Sequence, residues 1–430
     1  MTDLPLEQMQ NCEEALTEMR PVPERCFSAP ELICALLSFP AAYLYCSNIF
    51  FYTHLYHSLP FALVALFLVG ASLWLNQERR AEAETYVWFI CFILCCISGF
   101  FGLNNVWDEA QLILFIHIFF VWWVLCRSGS LVEGQSGHLL PLDALNGFVL
   151  FPFGNYLLRI KCLVSALKTR HTATGKKRLL LLPALLCLVL FIAAVCLLTA
   201  ADDRFAEMLS GFVSIFSFEV DFETVMMFLF SLPVGAWLFG LIGGTAKHDR
   251  AKLAAQRENV YGFLARIRKI PVLFWAVVLA LFSALYIAFF ILQASYLFGA
   301  FTRTLPEGFI VSQYARQGFF ELCKVMAVNF SVLWLVTRMA DEQGRNSRLF
   351  TTVCMAFLTE SILFAVIALS KLGLYISCFG FTPLRLQSSW LVCVLLAGCV
   401  FWMVSLLTGR KVFRKWMFFG AVSLSVLTLF

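Results

Sequence analysis

Residues 247–269 read KHDRAKLAAQRENVYGFLARIRK and place seven Lys and Arg between two long apolar segments. Loops rich in Lys and Arg stay in the cytoplasm, because moving these side chains across an energised membrane is unfavourable. The stretch therefore fixes the side on which one flanking segment ends and the next begins. The other segments can be counted outward from it in both directions.

Eleven apolar segments have about the 20 residues that a helix needs to cross roughly 30 Å of hydrocarbon. If each is one crossing, the N-terminal tail and the even-numbered connections carry 26 of the 32 Lys and Arg, and the odd-numbered connections carry five. Lys324, the remaining one, lies inside a segment. The sequence therefore predicts an all-α, polytopic transmembrane helical bundle of about 11 spans, with its N-terminus inside and its C-terminus outside. The segments are 32–52, 59–75, 85–103, 110–126, 179–199, 225–243, 271–298, 319–338, 349–371, 389–408 and 416–430.

The composition agrees with a membrane protein and excludes other classes. Hydrophobic residues make up 61% of the chain and charged residues only 14%, where soluble domains have about a quarter charged. The net charge is +5, and the basic residues are confined to loops. They are therefore predicted to contact anionic lipid at the inner face and not to bind nucleic acid. Sixteen Cys occur mostly within apolar segments, where Cys acts as a small hydrophobic residue.

The pattern of segments predicts four regions. A cytoplasmic tail, 1–31, has no basic start followed by a short apolar core, so it is not a cleaved signal peptide. A four-span bundle, 32–126, is followed by a basic cytoplasmic loop, 127–178, and then by a seven-span membrane domain, 179–430.

Two connections are more than linkers. Asn146–Arg170 begins apolar, is broken by Pro152 and Gly154, and continues with basic and apolar residues in alternation. A full crossing here would place the later basic loops outside, so we interpret it as an amphipathic helix in the inner interface, after a re-entrant turn. A loop packed on the bundle is the alternative. The outer connection 200–224 is acidic; it is either simply solvated or forms a vestibule that attracts cations.

The motifs of several enzyme classes are missing. The six His are scattered, HExxH and GxSxG do not occur, and no Cys pair or Cys/His cluster has zinc spacing. The sequence thus predicts neither a metal nor a cofactor. Thr174–Lys177 is an incomplete phosphate loop that precedes an apolar segment.

Ionisable groups within spans are costly and usually mark a function or a specific pairing. Glu321, Lys324 and Asn329 lie in the eighth segment, and Glu360 lies in the ninth, near the midplane. Glu321 and Lys324 are three residues apart and can neutralise each other on one helix face. The charges either hold the two helices together or take part in transport or catalysis. His117 in the fourth segment is interpreted as a hydrogen-bonding residue between helices.

Four stretches resemble a known family. Tyr314–Leu322 (YARQGFFEL) is similar to the signature of a bacterial membrane-protein family defined by domain of unknown function 4173. Leu198–Phe205, Gln293–Gly299 and Gly380–Leu386 resemble its other motifs. The resemblance covers roughly residues 179–406. It implies a multi-pass protein of the bacterial cytoplasmic (inner) membrane and brings no established activity.

The charge count places the motif residues at the outer ends of the seventh to tenth segments. Capping motifs alone have no reason to favour one leaflet, so this convergence indicates an outward-facing polar site; docking of the 200–224 loop onto Arg316 and Arg385 is the alternative. The candidate ligand-binding residues are Gln293, Tyr296, Tyr314, Arg316, Glu321, Lys324, Glu360, Lys371 and Arg385.

Three functions fit these features. The first is a transporter or permease with an outward cavity lined by Arg316, Glu321, Lys324 and Glu360. The second is a non-catalytic sensor or assembly subunit whose basic cytoplasmic loops engage a protein partner. The third is a membrane enzyme acting on lipid-linked envelope substrates, with Glu321 as its carboxylate.

Overall fold

The protein is a multi-pass helical membrane protein. A computed structural model describes residues 27–51, 54–169, 222–302, 311–345, 347–410 and 412–430. Every regular element in these ranges is a helix, and nine helices in them are long and apolar enough to cross a membrane. They include Leu140–Ala166, which overlaps the connection expected to lie in the inner interface, whereas the predicted span at Leu59–Leu75 forms a shorter apolar helix. Long uncharged runs form helices in a bilayer because a helix satisfies all its backbone hydrogen bonds internally.

The N-terminal half contains four long helices, then a segment of short helices, then two further helices. Their bounds are α1 Ala29–Tyr45, α2 Leu59–Leu75, α3 Ala83–Phe101, α4 Glu109–Ser128, α5 Leu140–Leu145, α6 Phe151–Gly154, α7 Leu158–Thr169, α8 Phe222–Ala246 and α9 Arg250–Ile267. Two π-helices, Cys46–Phe50 and Asn146–Leu150, follow α1 and α5.

The C-terminal half is built on three helices of 26 to 32 residues and on shorter ones between and after them. Their bounds are α10 Val272–Leu292, α11 Ala294–Thr302, α12 Val311–Met339, α13 Glu342–Arg345, α14 Arg348–Phe379, α15 Pro383–Thr408 and α16 Phe413–Leu427.

The predicted segments agree well with these helices. Each of the ten that fall in the described ranges is helical over most of its length. The segment 179–199, the acidic loop 200–224 up to residue 221 and the tail 1–26 lie outside the described residues. The exact number of crossings, the four regions and the orientation of the termini stay predictions.

Two hydrophobic cores hold the helices together. One lies among α1, α2, α3, α4 and α8, and the other among α10, α12, α14 and α15. Helix α16 connects them: Trp390 Nε1 of α15 donates to Ser423 Oγ at 2.9 Å, and Ser98 of α3 donates to the carbonyl oxygen of Thr428. The C-terminal helix is therefore part of both packing units.

A broken helix follows α4. The π-helix Asn146–Leu150 interrupts its first part, and a turn at residues 155–157 separates α6 from α7. Irregular backbone is tolerated at membrane depth only where protein covers it. Here α8 covers it with its glycine face, which is formed by Gly240, Gly243 and Gly244. The two backbones are so close that a Cβ atom on Gly240 would lie 2.5 Å from the carbonyl oxygen of Pro152.

Helix α7 is the predicted basic helix, but one of its basic residues faces the protein. Arg159 is 4% exposed, its Cζ lies 3.9 Å from the ring centroid of Phe39, and its Nη2 donates to the carbonyl oxygen of Leu232 at 2.8 Å. The basic residues of this helix are predicted to contact lipid headgroups. For Arg159 this prediction is wrong, because α7 packs against α1 and α8. Lys161 is exposed, and the position of α7 relative to a membrane surface stays a prediction.

The connections gather at two ends of the molecule. The basic end comprises, among the described residues, 76–84, 127–139, 245–270, 340–345, 347–348, 409–410 and 412–414. There Lys247 pairs with Glu31 at 2.6 Å and Arg414 with Glu84 at 3.7 Å. At the opposite end, Asn105 Nδ2 donates to the carbonyl oxygen of Phe430 at 3.0 Å. The grouping matches the alternation of charge along the sequence.

Reporter fusions test which end faces the cytoplasm. We expect fusions at Arg80, Arg257 and Arg345 to report cytoplasm, because basic loops are retained there. Fusions at Asn105 and Phe430 should report the outside. The reverse pattern, or two different locations for Arg80 and Arg257, would contradict the assignment.

Candidate functional site

Lys371 is buried in α14, near the end of the molecule that lies opposite the basic end. It is 23 residues beyond Arg348, or roughly 35 Å along the helix from the basic end, which is about the far boundary of a 30 Å hydrocarbon core. Its side chain is 0% exposed. Its Nζ atom lies 3.5 Å from the ring centroid of Tyr296 and 4.0 Å from that of Tyr314.

Tyr296 and Tyr314 form the walls of this site. Their rings meet edge to face with centroids 5.3 Å apart, and the Tyr314 hydroxyl donates to the carbonyl oxygen of Tyr296 at 2.6 Å. Gly318 of α12 forms the floor, since a Cβ atom there would lie 2.6 Å from Lys371 Nζ. We call Lys371, Tyr296, Tyr314 and Gly318 the tyrosine cage.

The ammonium group in the cage has no hydrogen-bond acceptor. Its Nζ atom is buried without a hydrogen bond, and no carboxylate lies within 4 Å of it in the part of the chain that the structure describes. Ring faces attract a cation, but they do not accept its three N–H bonds as an anion does. The cage therefore holds a positive charge whose hydrogen-bonding capacity is unused.

Glu321 borders the cage. It is exposed, accepts a hydrogen bond from Gln317 Nε2 at 2.9 Å, and lies 3.4 Å from the hydroxyl of Tyr296. It does not form the predicted pair with Lys324, because its carboxylate is directed at Gln317 and Tyr296. Glu321 therefore reaches the cage through the hydroxyl of Tyr296, whose ring covers Lys371.

The remaining candidates at this end do not join the cage. Arg316 and Lys324 lie on the exposed side of α12. Gln293 connects α10 to α11, and its carbonyl oxygen accepts from the backbone N–H of Leu297 at 2.8 Å. Arg385 donates to the carbonyl oxygen of Phe379 at 2.8 Å, so it caps α14.

Glu360 lies deeper, on the same face of α14 as Lys371. The two residues are 11 positions apart, or roughly 16 Å, and Phe364 lies between them with its ring centroid 4.6 Å from that of Phe290. Glu360 is half-buried, and its Oε2 atom has no hydrogen-bond partner. An aromatic layer thus separates the cage from this carboxylate.

A buried polar network lies beside Glu360 that the sequence did not reveal. The Tyr286 hydroxyl donates to Asn329 Oδ1 at 2.5 Å, and Asn329 Nδ2 donates to Ser361 Oγ at 2.9 Å. Asn329 was recognised as polar within a span, whereas Tyr286 and Ser361 are unremarkable in an apolar sequence. Gly318 was also missed, although it stands within the YARQGFFEL motif.

The chain was compared with known proteins. The sequence model of one family, described as Domain of unknown function (DUF4153), matches residues 34–430. The chain belongs to this family. The number 4173 suggested by the motifs is not confirmed, and the match begins far earlier in the chain than residue 179, where the resemblance started. No curated protein and no solved structure matches the chain.

The N-terminal part of the DUF4153 domain holds an apolar cavity. It has a volume of about 30 Å³, is lined mainly by aliphatic and aromatic side chains, and is bordered by Tyr45 and His117. His117 bonds through Nε2 to the Tyr45 hydroxyl and through Nδ1 to the carbonyl oxygen of Ile113 at 2.6 Å. Both ring nitrogens are engaged, as expected for a residue that joins two helices.

Among the described residues of the DUF4153 domain, no three His, Cys, Asp or Glu side chains come together as a metal site. The cage is therefore the cluster whose chemistry is least explained by packing. It combines a buried cation, two hydroxyl-bearing rings and a nearby carboxylate.

Proposed function

We propose that the protein is a transporter or permease whose solute binds at the tyrosine cage. The observation that supports the proposal is the buried ammonium of Lys371, whose hydrogen bonds find no acceptor among the described residues. An ionisable group within a membrane segment is costly and is usually kept for a function. A solute that carries a negative group would supply the missing acceptor and neutralise the charge.

The arrangement of the cage suggests how a solute enters. Tyr296 lies on the short helix α11, outside the long spans, and covers Lys371 from the opposite end of the molecule. Movement of α11 would uncover the ammonium without unpacking α12 and α14. The structure then corresponds to an occluded state, with Tyr296 as the outer gate.

The interior of the C-terminal bundle supplies a second barrier. Phe364 packs against Phe290 and, with centroids 5.0 Å apart, against Tyr286. Below this layer lie Glu360 and the polar network of Tyr286, Asn329 and Ser361. A polar site, an aromatic barrier and a deeper polar region thus lie in series. In the proposed cycle, Tyr296 closes the path on one side of the cage and the aromatic barrier closes it on the other.

Flux through proteoliposomes tests the proposal. We expect concentration jumps of acetate, lactate, succinate or citrate to produce currents on a solid-supported membrane with at least one of these anions. Lys371→Met should abolish the current because the recognition charge is gone. Lys324→Met is the matched control, since Lys324 is on the same helical bundle and exposed, and it should retain most of the current.

Two results would contradict this function. Equal currents for Lys371→Met and for the unaltered protein would exclude the cage as the solute site. Stabilisation of the purified protein by one of the anions, without any flux, would instead favour the non-catalytic sensor or assembly subunit.

A further inference from the structure

A second group of cations lies at the basic end, far from the cage. Arg79 follows α2, Arg127 ends α4, and His248 and Arg250 stand between α8 and the body of α9. We call these four residues the arginine cluster. They come from three separate parts of the chain, so only the fold brings them together.

Arg79 and Arg127 are held by backbone groups, not by carboxylates. Arg79 Nη2 donates to the carbonyl oxygen of Ala246 at 3.3 Å, and Arg127 donates to the carbonyl oxygen of Arg79. A Cβ atom on Gly129 would lie 3.3 Å from Arg79 Nη1, so the absence of a side chain there leaves room beside the guanidinium. The backbone thus positions both groups without neutralising them.

Three nitrogen atoms of the cluster are buried and have no hydrogen-bond partner among the residues that the structure describes. They are Arg79 Nη1, Arg127 Nε and His248 Nε2. The other nitrogen of His248, Nδ1, is engaged with the carbonyl oxygen of Thr245 at 2.7 Å and with Ser130 Oγ at 3.0 Å. Arg79 Nη1 and Arg127 Nε are donors, and buried donors without acceptors cost free energy and call for a water, an ion or a ligand. His248 Nε2 becomes a donor only when the ring is protonated, because Nδ1 carries the proton that the carbonyl oxygen of Thr245 accepts.

The charges of the cluster repel one another. Burial lowers the pKa of Arg79, and the charges of Arg250 and Arg127 lower it further. Burial likewise holds the pKa of His248 below its usual range, with Arg79 and Arg250 adding to the effect against the opposing influence of Asp249. Asp249 itself caps α9, since its Oδ1 accepts from the backbone N–H of Ala251 at 2.9 Å.

Carboxylates neutralise other cations at the same end. Lys247 has Glu31 and Arg414 has Glu84, whereas no described carboxylate lies within 4 Å of Arg79, Arg127 or Arg250. The cluster therefore holds three guanidinium groups that the described carboxylates of this end leave without an ion pair.

We propose that the arginine cluster binds a phosphate group. Guanidinium groups bind phosphate oxygens in pairs of parallel hydrogen bonds, and a phosphate has enough oxygens to accept from donors arriving from three directions. The site lies at the membrane boundary of the basic end, where the phosphate of a phospholipid headgroup is available. A free phosphate offers the same chemistry, so the experiment separates the two sources.

The test measures thermal unfolding of the purified full-length protein in detergent. Inorganic phosphate is titrated against chloride at constant ionic strength, and dioctanoyl phosphatidic acid is titrated against a dioctanoyl diacylglycerol in parallel. We expect the unfolding temperature to rise with phosphate or with phosphatidic acid. Arg79→Gln and Arg127→Gln should each weaken the apparent affinity about tenfold, because each removes a charged hydrogen-bond donor.

Arg80→Gln is the matched control, because Arg80 is adjacent, exposed and outside the cluster. It should leave the response unchanged. Without any anion, Arg79→Gln should unfold at the same or a higher temperature than the unaltered protein, since it relieves repulsion. Arg79→Lys, which keeps the charge and loses the planar fork, should fold normally and weaken binding several-fold.

Each outcome is decisive. A response to both probes assigns free phosphate as a ligand, and a response to phosphatidic acid alone assigns the lipid headgroup. No response to either probe, or an equal response in Arg79→Gln and Arg80→Gln, would overturn the proposal. So would an Arg79→Gln protein that unfolds at a lower temperature without anion yet keeps its response, because Arg79 would then be structural only.

Discussion

Gly240→Ala is expected to destabilise the protein by about 1–3 kcal/mol, the range typical of overpacked sites. The added Cβ would lie 2.5 Å from the carbonyl oxygen of Pro152 and 3.2 Å from that of Asn155. Both obstacles are backbone atoms, which cannot rotate away as the tip of a side chain can. The broken helix would have to move away from α8, and its irregular backbone would lose its cover.

Gly70→Ala in α2 is the matched control. Gly70 is also in an apolar helix, and a Cβ atom there meets nothing within 4 Å. Alanine in an open helix position is favoured over glycine by roughly 0.5–1 kcal/mol. Equilibrium unfolding in detergent should therefore give effects of opposite sign at the two positions. Equal effects would show that the broken helix does not rest on the glycine face of α8.

The helices of this protein could be predicted from its sequence because each depends on a local property. A run of about 20 apolar residues has to be helical in a bilayer whatever its neighbours are. Contacts among the described loops bring several basic connections to one end of the molecule, but Leu140–Ala166, which the charge count kept at that end, forms a helix long and apolar enough to cross. Pro152 and Gly154 locate the break between α6 and α7 in the sequence. That α8 covers this break could not be predicted, because Gly240 lies almost 90 residues away.

The candidate site could be predicted only in part for a related reason. Tyr296, Tyr314, Glu321 and Lys371 do come together at one end of the C-terminal bundle. The charge count gives the depth of a residue but not the rotation of its helix. Arg316 and Lys324 have the right depth and lie on the exposed side of α12, whereas Gly318 faces Lys371.

Lys371→Met is expected to stabilise the protein slightly, by on the order of 1 kcal/mol, because the cost of a Lys in a membrane helix exceeds two ring contacts at the low end of their range. A Lys at the centre of a membrane helix costs roughly 2.5–3.5 kcal/mol, and Lys371 lies nearer the boundary, where the cost is smaller. Loss of the contacts with Tyr296 and Tyr314 offsets part of the gain, since a cation over a ring contributes on the order of 0.5–2 kcal/mol. Met has a similar length and no charge, so it fills the cage without needing an acceptor.

A substitution that stabilises the protein and removes its activity indicates a residue kept for function at a cost in stability. A structural lysine behaves differently, because its loss exposes or unpairs the groups that it joined. The sign of the stability change therefore separates the two roles of Lys371 independently of any solute.

The most direct test of the tyrosine cage is the thermal unfolding of Lys371→Met beside the unaltered protein and Lys252→Met in the same detergent. We predict a higher unfolding temperature for Lys371→Met and little change for Lys252→Met, whose side chain is exposed on the charged helix α9. An unfolding temperature of Lys371→Met below that of the unaltered protein would show that the ammonium stabilises the bundle through Tyr296 and Tyr314. The cage would then be a structural joint and not a solute site.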